Sequence, residues 1–147
     1  MDKTARILVV DDDESIRKVL TAILEEEGYV VDNVKDGKEA IEKSESKFYN
    51  LALIDIRLPD MEGTKLLTTL EETTPKMVKI IITGYPSLQN AVEAVNKGAD
   101  AYILKPFNMD DVLDTIKEQL KKQQEASKYS EEKVTEFIKT RVKEVTQ

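Results

Sequence analysis

Two residue types that carry much of protein chemistry are missing from this sequence of 147 residues, which has no cysteine and no histidine. Without cysteine there can be no disulfide and no thiolate metal site, so nothing in the composition suggests export. Without histidine the chain lacks the commonest general base and the commonest metal ligand. Any chemistry must therefore depend on carboxylates, hydroxyl groups and lysine.

Long apolar runs and an excess of positive charge are also absent. No run approaches the roughly 18 apolar residues that a membrane-spanning helix needs, and the first residues do not follow a signal-peptide pattern. The formal net charge is −7, which argues against a nucleic-acid surface, because such binding depends on cations that contact phosphates. We therefore expect a cytoplasmic protein that binds neither membranes nor nucleic acid.

What the sequence does contain is a regular alternation of apolar runs and helical patterns. Each short run rich in β-branched residues is followed by apolar residues at helical spacing, and the connections are short. The predicted strands cover residues 6–10, 29–34, 51–55, 77–83 and 101–104. This alternation is typical of an open parallel sheet with helices on both faces. We predict a flavodoxin-like, doubly wound α/β fold of five parallel strands in the order 2-1-3-4-5, with an extra C-terminal helix.

Polar side chains follow four of the five predicted strands. They are Asp11 and Asp12 after the first strand, Asp55 at the end of the third, Thr83 at the end of the fourth and Lys105 after the fifth. The carboxyl ends of parallel strands share one edge, so the three carboxylates are expected to meet. One pair of like charges repels by ~4 kcal/mol at ~4 Å and an effective dielectric constant of ~20. A divalent cation relieves that repulsion, and ligands that are all oxygen favour Mg²⁺.

A carboxylate beside Mg²⁺, a hydroxyl group and an ammonium group are suited to phosphoryl transfer. Asp55 can attack a phosphorus atom in line, while the cation and Lys105 neutralise charge on the phosphoryl oxygens and Thr83 donates a hydrogen bond. The small Gly84 beside Thr83 leaves room for the phosphoryl group. The residues themselves thus indicate an aspartyl phosphate chemistry at the sheet edge.

Together these motifs resemble the receiver domain of two-component response regulators. The resemblance extends from about Arg6 to Leu120 and rests on four segments, which are residues 7–13, residues 53–55 with Pro59 and Gly63, residues 82–84, and residues 105–107. It suggests a chemotaxis-type receiver, either stand-alone or truncated from a longer regulator. The sequence departs from the family pattern at Leu58, where methionine is frequent, and at Asp60, where glycine is frequent.

The resemblance implies a role for each residue of the edge. Asp55 is expected to accept a phosphoryl group from a histidine kinase or phosphotransfer protein, with help from Thr83 and Lys105. Thr83 and Tyr102 are expected to form a switch that alters a surface for a downstream protein partner, or for self-association through the last helices. The expected Mg²⁺ ligands are Asp12 and Asp55 directly, Asp11 mainly through water, and the backbone carbonyl of Arg57.

We therefore expect a phosphorylation-dependent switch and not an enzyme. Its chemistry would be limited to self-catalysed phosphoryl transfer and slow autodephosphorylation. A haloacid-dehalogenase-like phosphatase would need a second aspartate two residues after its nucleophile, where this sequence has Arg57. A phosphate-independent adaptor would usually lose part of the polar set, all of which is present. Arg57 and Tyr85 are expected to border the path of attacking water and to slow hydrolysis, and the Lys105–Pro106 peptide is expected to be cis.

The end of the sequence lies outside the resemblance. We predict a receiver domain over residues 1–122 and an amphipathic helical tail over residues 123–147. Residues 127–130 interrupt the apolar pattern, and Ser130 is interpreted as the N-cap of a new helix, with Tyr129 and Val134 as a hydrophobic staple. The tail could pack on its own domain, pair with a second copy or bind a partner. Its apolar residues are Val134, Phe137, Ile138, Val142 and Val145.

Overall fold

The computed structural model describes residues 4–70 and 72–146, with side chains described as far as Arg141. Strands and helices alternate throughout these residues. The strands are β1 (Arg6–Val10), β2 (Val30–Val34), β3 (Leu51–Asp55), β4 (Val78–Thr83) and β5 (Ala101–Leu104). The helices are α1 (Glu14–Glu26), α2 (Gly37–Ser46), α3 (Gly63–Thr69), α4 (Leu88–Asn96) and α5 (Met109–Thr146).

The five strands form one parallel sheet in the order β2-β1-β3-β4-β5, which confirms the predicted fold class. β3 and β4 lie in the middle and are buried at every position. Their uninterrupted apolar sequences fit this place, because a central parallel strand is covered on both faces. The register pairs Val10 with Ile54, Asp55 with Ile82, and Thr83 with Leu104. The ends of β1, β3, β4 and β5 therefore reach the same edge.

Side chains that alternate along the strands build two apolar layers, one on each face of the sheet. On one face, residues such as Leu8 and Ile54 pack with α2, α3 and α4. On the other face, residues such as Val9 and Leu53 pack with α1 and α5. The helices are thus divided between both faces, as right-handed crossovers between parallel strands require.

The helix ends follow the signals in the sequence. Asp13, Asp36 and Ser87 are N-caps, and each side chain accepts a hydrogen bond from a backbone N–H in the first turn. Gly28 and Gly98 follow α1 and α4 with φ angles of 97° and 102°, a conformation that glycine adopts without strain. The Lys105–Pro106 peptide is cis, as predicted, and so is Thr74–Pro75.

The interpretation of the tail as a separately capped helix was wrong, because α5 runs without a break from Met109 to Thr146. Ser130 lies inside this helix and is not an N-cap. The segment has no glycine or proline, so nothing in residues 127–130 ends a helix that is already formed. The side chains of Val142 and Val145 lie outside the described residues. Within the described part of the chain, no helix has both the length and the apolar character to span a bilayer.

Candidate functional site

Three carboxylates meet at the carboxyl edge of the sheet, as the sequence predicted. Oxygen atoms of Asp11, Asp12 and Asp55 all lie within 4.8 Å of one another. Asp11 and Asp55 are buried, with 3% and 7% of their surfaces exposed, whereas Asp12 is exposed. Asp13 is not part of this cluster, because its carboxylate caps α1 by accepting hydrogen bonds from the N–H groups of Ser15 and Ile16.

Lys105 brings the balancing positive charge to this cluster. Its Nζ lies 2.9 Å from Oδ2 of Asp11 and 3.5 Å from Oδ2 of Asp55. Burial alone would lower the pKa of Lys105, but the hydrogen bond to Asp11 and the charges of both carboxylates raise it. Burial, together with the charge of Asp11, raises the pKa of Asp55 to about 6, although Lys105 opposes the shift. One ammonium group therefore does not balance three carboxylates.

Hydrogen bonds from nearby residues hold the two buried acids in place. The N–H of Asp13 donates to Oδ1 of Asp11 at 2.9 Å, and Nη1 of Arg17 donates to the carbonyl oxygen of Asp11 at 2.7 Å. The N–H of Arg57 lies 3.5 Å from Oδ1 of Asp55. The remaining carboxylate oxygens are hard ligands with excess negative charge, and this donor set fits a small divalent cation such as Mg²⁺.

Thr83 and Tyr102 complete the edge on the side of β4 and β5. Thr83 is fully buried, and its Oγ1 accepts a hydrogen bond from the N–H of Tyr85 at 2.9 Å. The N–H of Lys105 donates to the carbonyl oxygen of Thr83 at 2.7 Å, which ties the two strand ends together. The hydroxyl group of Tyr102 is buried and has no hydrogen-bond partner among the described residues. A methyl group at Gly84 would touch Lys105 only at ordinary contact distance, so its role in making room for phosphate stays a prediction.

The loop from β3 to α3 is attached to α2 by Asp60, one of the two positions where the sequence departs from the family pattern. The carboxylate of Asp60 accepts hydrogen bonds from the N–H groups of Gly37 and Lys38, both at 2.9 Å. These bonds hold the pKa of Asp60 below its usual value. A side chain at Gly37 would collide with Met61. Asp60 thus joins the loop that follows Asp55 to the first turn of α2.

Arg57 and Tyr85, which the sequence placed beside the water path, contact each other. The guanidinium carbon of Arg57 lies 3.9 Å from the centre of the Tyr85 ring, the geometry of a cation–π contact. Arg57 comes two residues after Asp55, and Tyr85 comes two residues after Thr83. The stacked pair therefore bridges the loops on either side of the buried carboxylate.

A second surface lies beside the edge, on α4 and β5. Leu88 is 83% exposed, and Val92, Val95 and Leu104 are also exposed. Exposed apolar residues this close together are a common sign of a protein-binding surface. Leu88, Val92 and Val95 follow one another at helical spacing and so lie along one side of α4. Ala94 is the residue of α4 that is buried in the core.

The parallel sheet in this strand order, with acidic residues, a threonine and a lysine at its carboxyl edge, defines a class of signalling receivers with a flavodoxin-like fold. Comparison with known families agrees. The chain belongs to the response regulator receiver domain family, whose model matches residues 7–117. It is therefore a receiver domain of two-component signal transduction.

Similar proteins are longer regulators. The chain is 40% identical over 114 residues to the transcriptional regulatory protein ZraR of Klebsiella oxytoca, a match that covers 78% of this chain and 26% of ZraR. It is 36% identical over 120 residues to the response regulator ArlR of Staphylococcus saprophyticus, covering 80% of this chain and 53% of ArlR. The chain thus spans about a quarter of the length of ZraR and about half of the length of ArlR.

Solved structures of single receiver domains match over nearly their whole length. A CheY-like receiver domain protein from Methanospirillum hungatei is 50% identical, with a TM-score of 0.81, and the match covers 84% of this chain and 99% of that one. The beryllofluoride-activated NtrC4 receiver domain dimer is 42% identical, with a TM-score of 0.75 and coverages of 80% and 98%.

Proposed function

We propose that Asp55 is the phosphoacceptor of this receiver and takes its phosphoryl group from a histidine kinase or phosphotransfer protein. The observation that carries the proposal is the position of Asp55, whose carboxylate is buried at the sheet edge and lies 3.5 Å from the ammonium group of Lys105. An oxygen of Asp55 attacks phosphorus as the bond to the donor breaks, so one phosphoryl group is exchanged between two nucleophiles.

The residues around Asp55 are proposed to stabilise the charge of the transferred group. Lys105 is close enough to pair with a phosphoryl oxygen. The hydroxyl group of Thr83 accepts a hydrogen bond from the N–H of Tyr85, which leaves its own proton free to donate to a phosphoryl oxygen. A bound Mg²⁺ would neutralise further negative charge. Its proposed ligands are Asp11, Asp12, Asp55 and the backbone carbonyl of Arg57.

Phosphorylation is proposed to act through Thr83 and Tyr102. If Thr83 turns toward the phosphoryl group, the space around the buried and unpaired hydroxyl group of Tyr102 changes. Tyr102 lies on β5, next to the exposed apolar residues of α4 and β5. A two-state shift of this region would alter the surface offered to a downstream protein or to a second copy through the last helices.

The protein is proposed to be a chemotaxis-type receiver, either stand-alone or part of a longer regulator, that works in the cytoplasm. Its chemistry is limited to accepting the phosphoryl group and losing it slowly, without a separate enzyme activity. We propose a receiver unit of residues 1–122 and a tail of residues 123–147 that binds neither nucleic acid nor membranes. ZraR carries the name of a transcriptional regulatory protein, which describes a chain that continues well beyond the matched segment.

The proposal is tested by intact mass after incubation with a small phosphodonor and Mg²⁺. The wild-type chain should gain the mass of one phosphoryl group, and Asp55→Asn should gain none. Asp13→Asn is the matched control, because Asp13 caps α1 outside the cluster, and it should be phosphorylated like the wild type. An unmodified wild-type chain, or a modified Asp55→Asn chain, would contradict the proposal.

The metal site is tested by thermal unfolding with and without millimolar Mg²⁺. Binding to the folded state alone should raise the melting temperature of the wild type. Asp12→Ala should lose this response and Asp13→Ala should keep it. If Asp12→Ala responds like the wild type, the three carboxylates do not form the metal site.

A further inference from the structure

The second half of α5 carries an apolar face that its own domain does not cover in the described part of the chain. Val134, Phe137 and Ile138 are 58%, 59% and 54% exposed. Three large apolar side chains within five residues of one helix are a costly exposure, because removing apolar surface from water is favourable. This part of the helix therefore has a surface that a partner can bury.

This exposed face is the continuation of the face that holds α5 on the sheet. Val134, Ile138 and Arg141 follow Ile116, Leu120 and Gln123 by 18 residues each, which is five turns of an α-helix. Ile116 and Gln123 are buried in the domain. Five turns amount to about 27 Å along the helix axis, so the same face leaves the sheet and projects past it.

The charges of the tail, residues 123–147, point to one kind of partner. The tail has five acidic and five basic residues, so the net charge of −7 belongs entirely to the rest of the chain. Residues 123–136 hold four acidic and two basic residues, whereas residues 137–147 hold three basic residues and one acidic residue. Two tails that run in opposite directions therefore place the acidic half of each beside the basic half of the other.

The base of the domain offers a place for the end of such a partner. A groove of about 770 Å³ lies between residues 74–76, which precede β4, and the face of α5 from Gln123 to Val134. Pro75 is on one wall, and Ala126 and Val134 are on the other. A helix lying antiparallel against the tail would direct its end into this groove.

We infer that the tail pairs with the tail of a second copy as an antiparallel helix pair, with Val134, Phe137 and Ile138 at its centre. This pairing goes beyond the phosphorylation switch, because it rests on neither Asp55 nor Mg²⁺. It gives the receiver a constitutive dimer contact at the end of the sheet opposite to the acidic edge. Failure of the phosphorylation experiment would leave this inference untouched.

The contact is tested by sedimentation equilibrium of the full unphosphorylated chain at micromolar concentrations. The wild type should dimerise, and Val134→Lys with Ile138→Lys should weaken the dimer at least about tenfold. The matched control is Tyr129→Lys with Thr140→Lys, two exposed positions at least about 120° around the helix from Val134 and Ile138. It should change the affinity less than about twofold. A monomeric wild type, or equal effects of the two variants, would overturn the inference.

Circular dichroism of each variant keeps these results interpretable. The wild type and both double variants should have native helix content, because Lys is a good helix former and the substituted sites are exposed. If Val134→Lys with Ile138→Lys instead lowers the melting temperature of a monomeric chain, the tail packs on its own domain and the inference is wrong.

Orientation is tested with spin labels, which need no background mutations because the chain has no cysteine. Ser127→Cys places a label near the start of the face, and Thr135→Cys places one near its middle. In an antiparallel pair the distance between labels across the dimer is long at residue 127 and short at residue 135. Equal distances at the two sites would show a parallel pair and overturn the proposed orientation.

Discussion

The acidic edge of the sheet and the tail of α5 both hold side chains that the domain leaves unbalanced, but they arise in opposite ways. At the edge, residues between 11 and 105 meet although they are far apart in the sequence, and their imbalance is one of charge. In the tail, every exposed apolar residue lies on one helix, and the imbalance is one of uncovered area. The edge should therefore respond to pH and Mg²⁺, and the tail to protein concentration.

Lys105 is the position where this difference should be largest. Lys105→Ala leaves Asp11 and Asp55 buried without a positive charge, and breaking a buried ion pair costs about 3 kcal/mol. We expect a loss of that size in the free energy of unfolding, measured with urea in the presence of a chelator. Mg²⁺ should restore part of it.

Lys18→Ala is the control for this measurement. Lys18 pairs with Glu14 at 3.1 Å on the exposed side of α1, where both side chains are at least 70% exposed. Such pairs contribute under about 1 kcal/mol. Similar losses in the two variants would show that the edge is not electrostatically different from an ordinary helix surface.

Asp55→Asn should stabilise the metal-free protein at neutral pH by about 3 kcal/mol. The pKa of Asp55 is raised from 3.8 to about 6, so the folded protein binds a proton more tightly than the unfolded chain. The stability that comes from this proton is complete below pH 3.8 and is lost as the pH rises through about 6. The advantage of the variant should therefore grow over that range. An advantage that does not change with pH would contradict the shift.

Gln123 lies where α5 passes from the part that packs on the sheet to the exposed tail. Its Nε2 donates to the carbonyl oxygens of Asn50 and Lys76 at 2.9 and 2.7 Å. Gln123→Ala removes both of these bonds, which a buried side chain makes, and should cost about 2 kcal/mol of stability. Gln119→Ala, one turn earlier with a single bond of 3.4 Å to Asp100, should cost much less. Equal losses would mean that Gln123 does not anchor the helix.

Asp60→Gly should have a smaller effect, about 1 kcal/mol, because it removes a carboxylate that caps two N–H groups of α2. Amide hydrogen exchange at Gly37 and Lys38 should become faster. Glu62→Gly is the matched control in the same loop, because the Glu62 side chain makes no capping hydrogen bond to α3. If both variants speed exchange at α2 alike, the effect comes from glycine in the loop and not from the lost carboxylate.

The smallest expected effect concerns Arg57 and Tyr85. Arg57→Ser with Tyr85→Ser removes the stacked pair that bridges the loops beside Asp55. Water should then reach the phosphoryl group more easily, and dephosphorylation should become about threefold faster, a change under about 1 kcal/mol in the barrier. Decay of the phosphorylated chain, followed by intact mass, measures this rate. Unchanged decay with normal phosphorylation would show that the pair does not control access.

The sequence by itself determined the body of the receiver. Apolar runs without alternation identify β3 and β4 as central strands, and the pattern of strand, turn and helix determines a parallel sheet. Because parallel strands end at one edge, the sequence alone predicts that Asp55, Thr83 and Lys105 lie together, and the register of β3, β4 and β5 agrees. These inferences succeed because each depends on a local pattern and one rule of topology.

In the tail, the spacing of apolar residues is a poor guide to where the helix ends. Its apolar spacing is interrupted at residues 127–130, and this was interpreted as the end of one helix and the start of another. The interruption lies where α5 leaves the sheet, so no apolar residue is needed there for packing. The helix continues through it because these residues are compatible with helix. Apolar spacing reports what a helix packs against, whereas glycine and proline report where it can end.

Only the tertiary structure decided which polar groups meet across long stretches of sequence. Asp60 reaches the N–H of Gly37, 23 residues earlier, and Gln123 reaches Asn50, 73 residues earlier. The partners of both side chains include backbone groups, and every residue other than proline carries the same N–H and carbonyl groups. No sequence pattern can therefore name the partner, because it is selected by the position to which packing brings each backbone group.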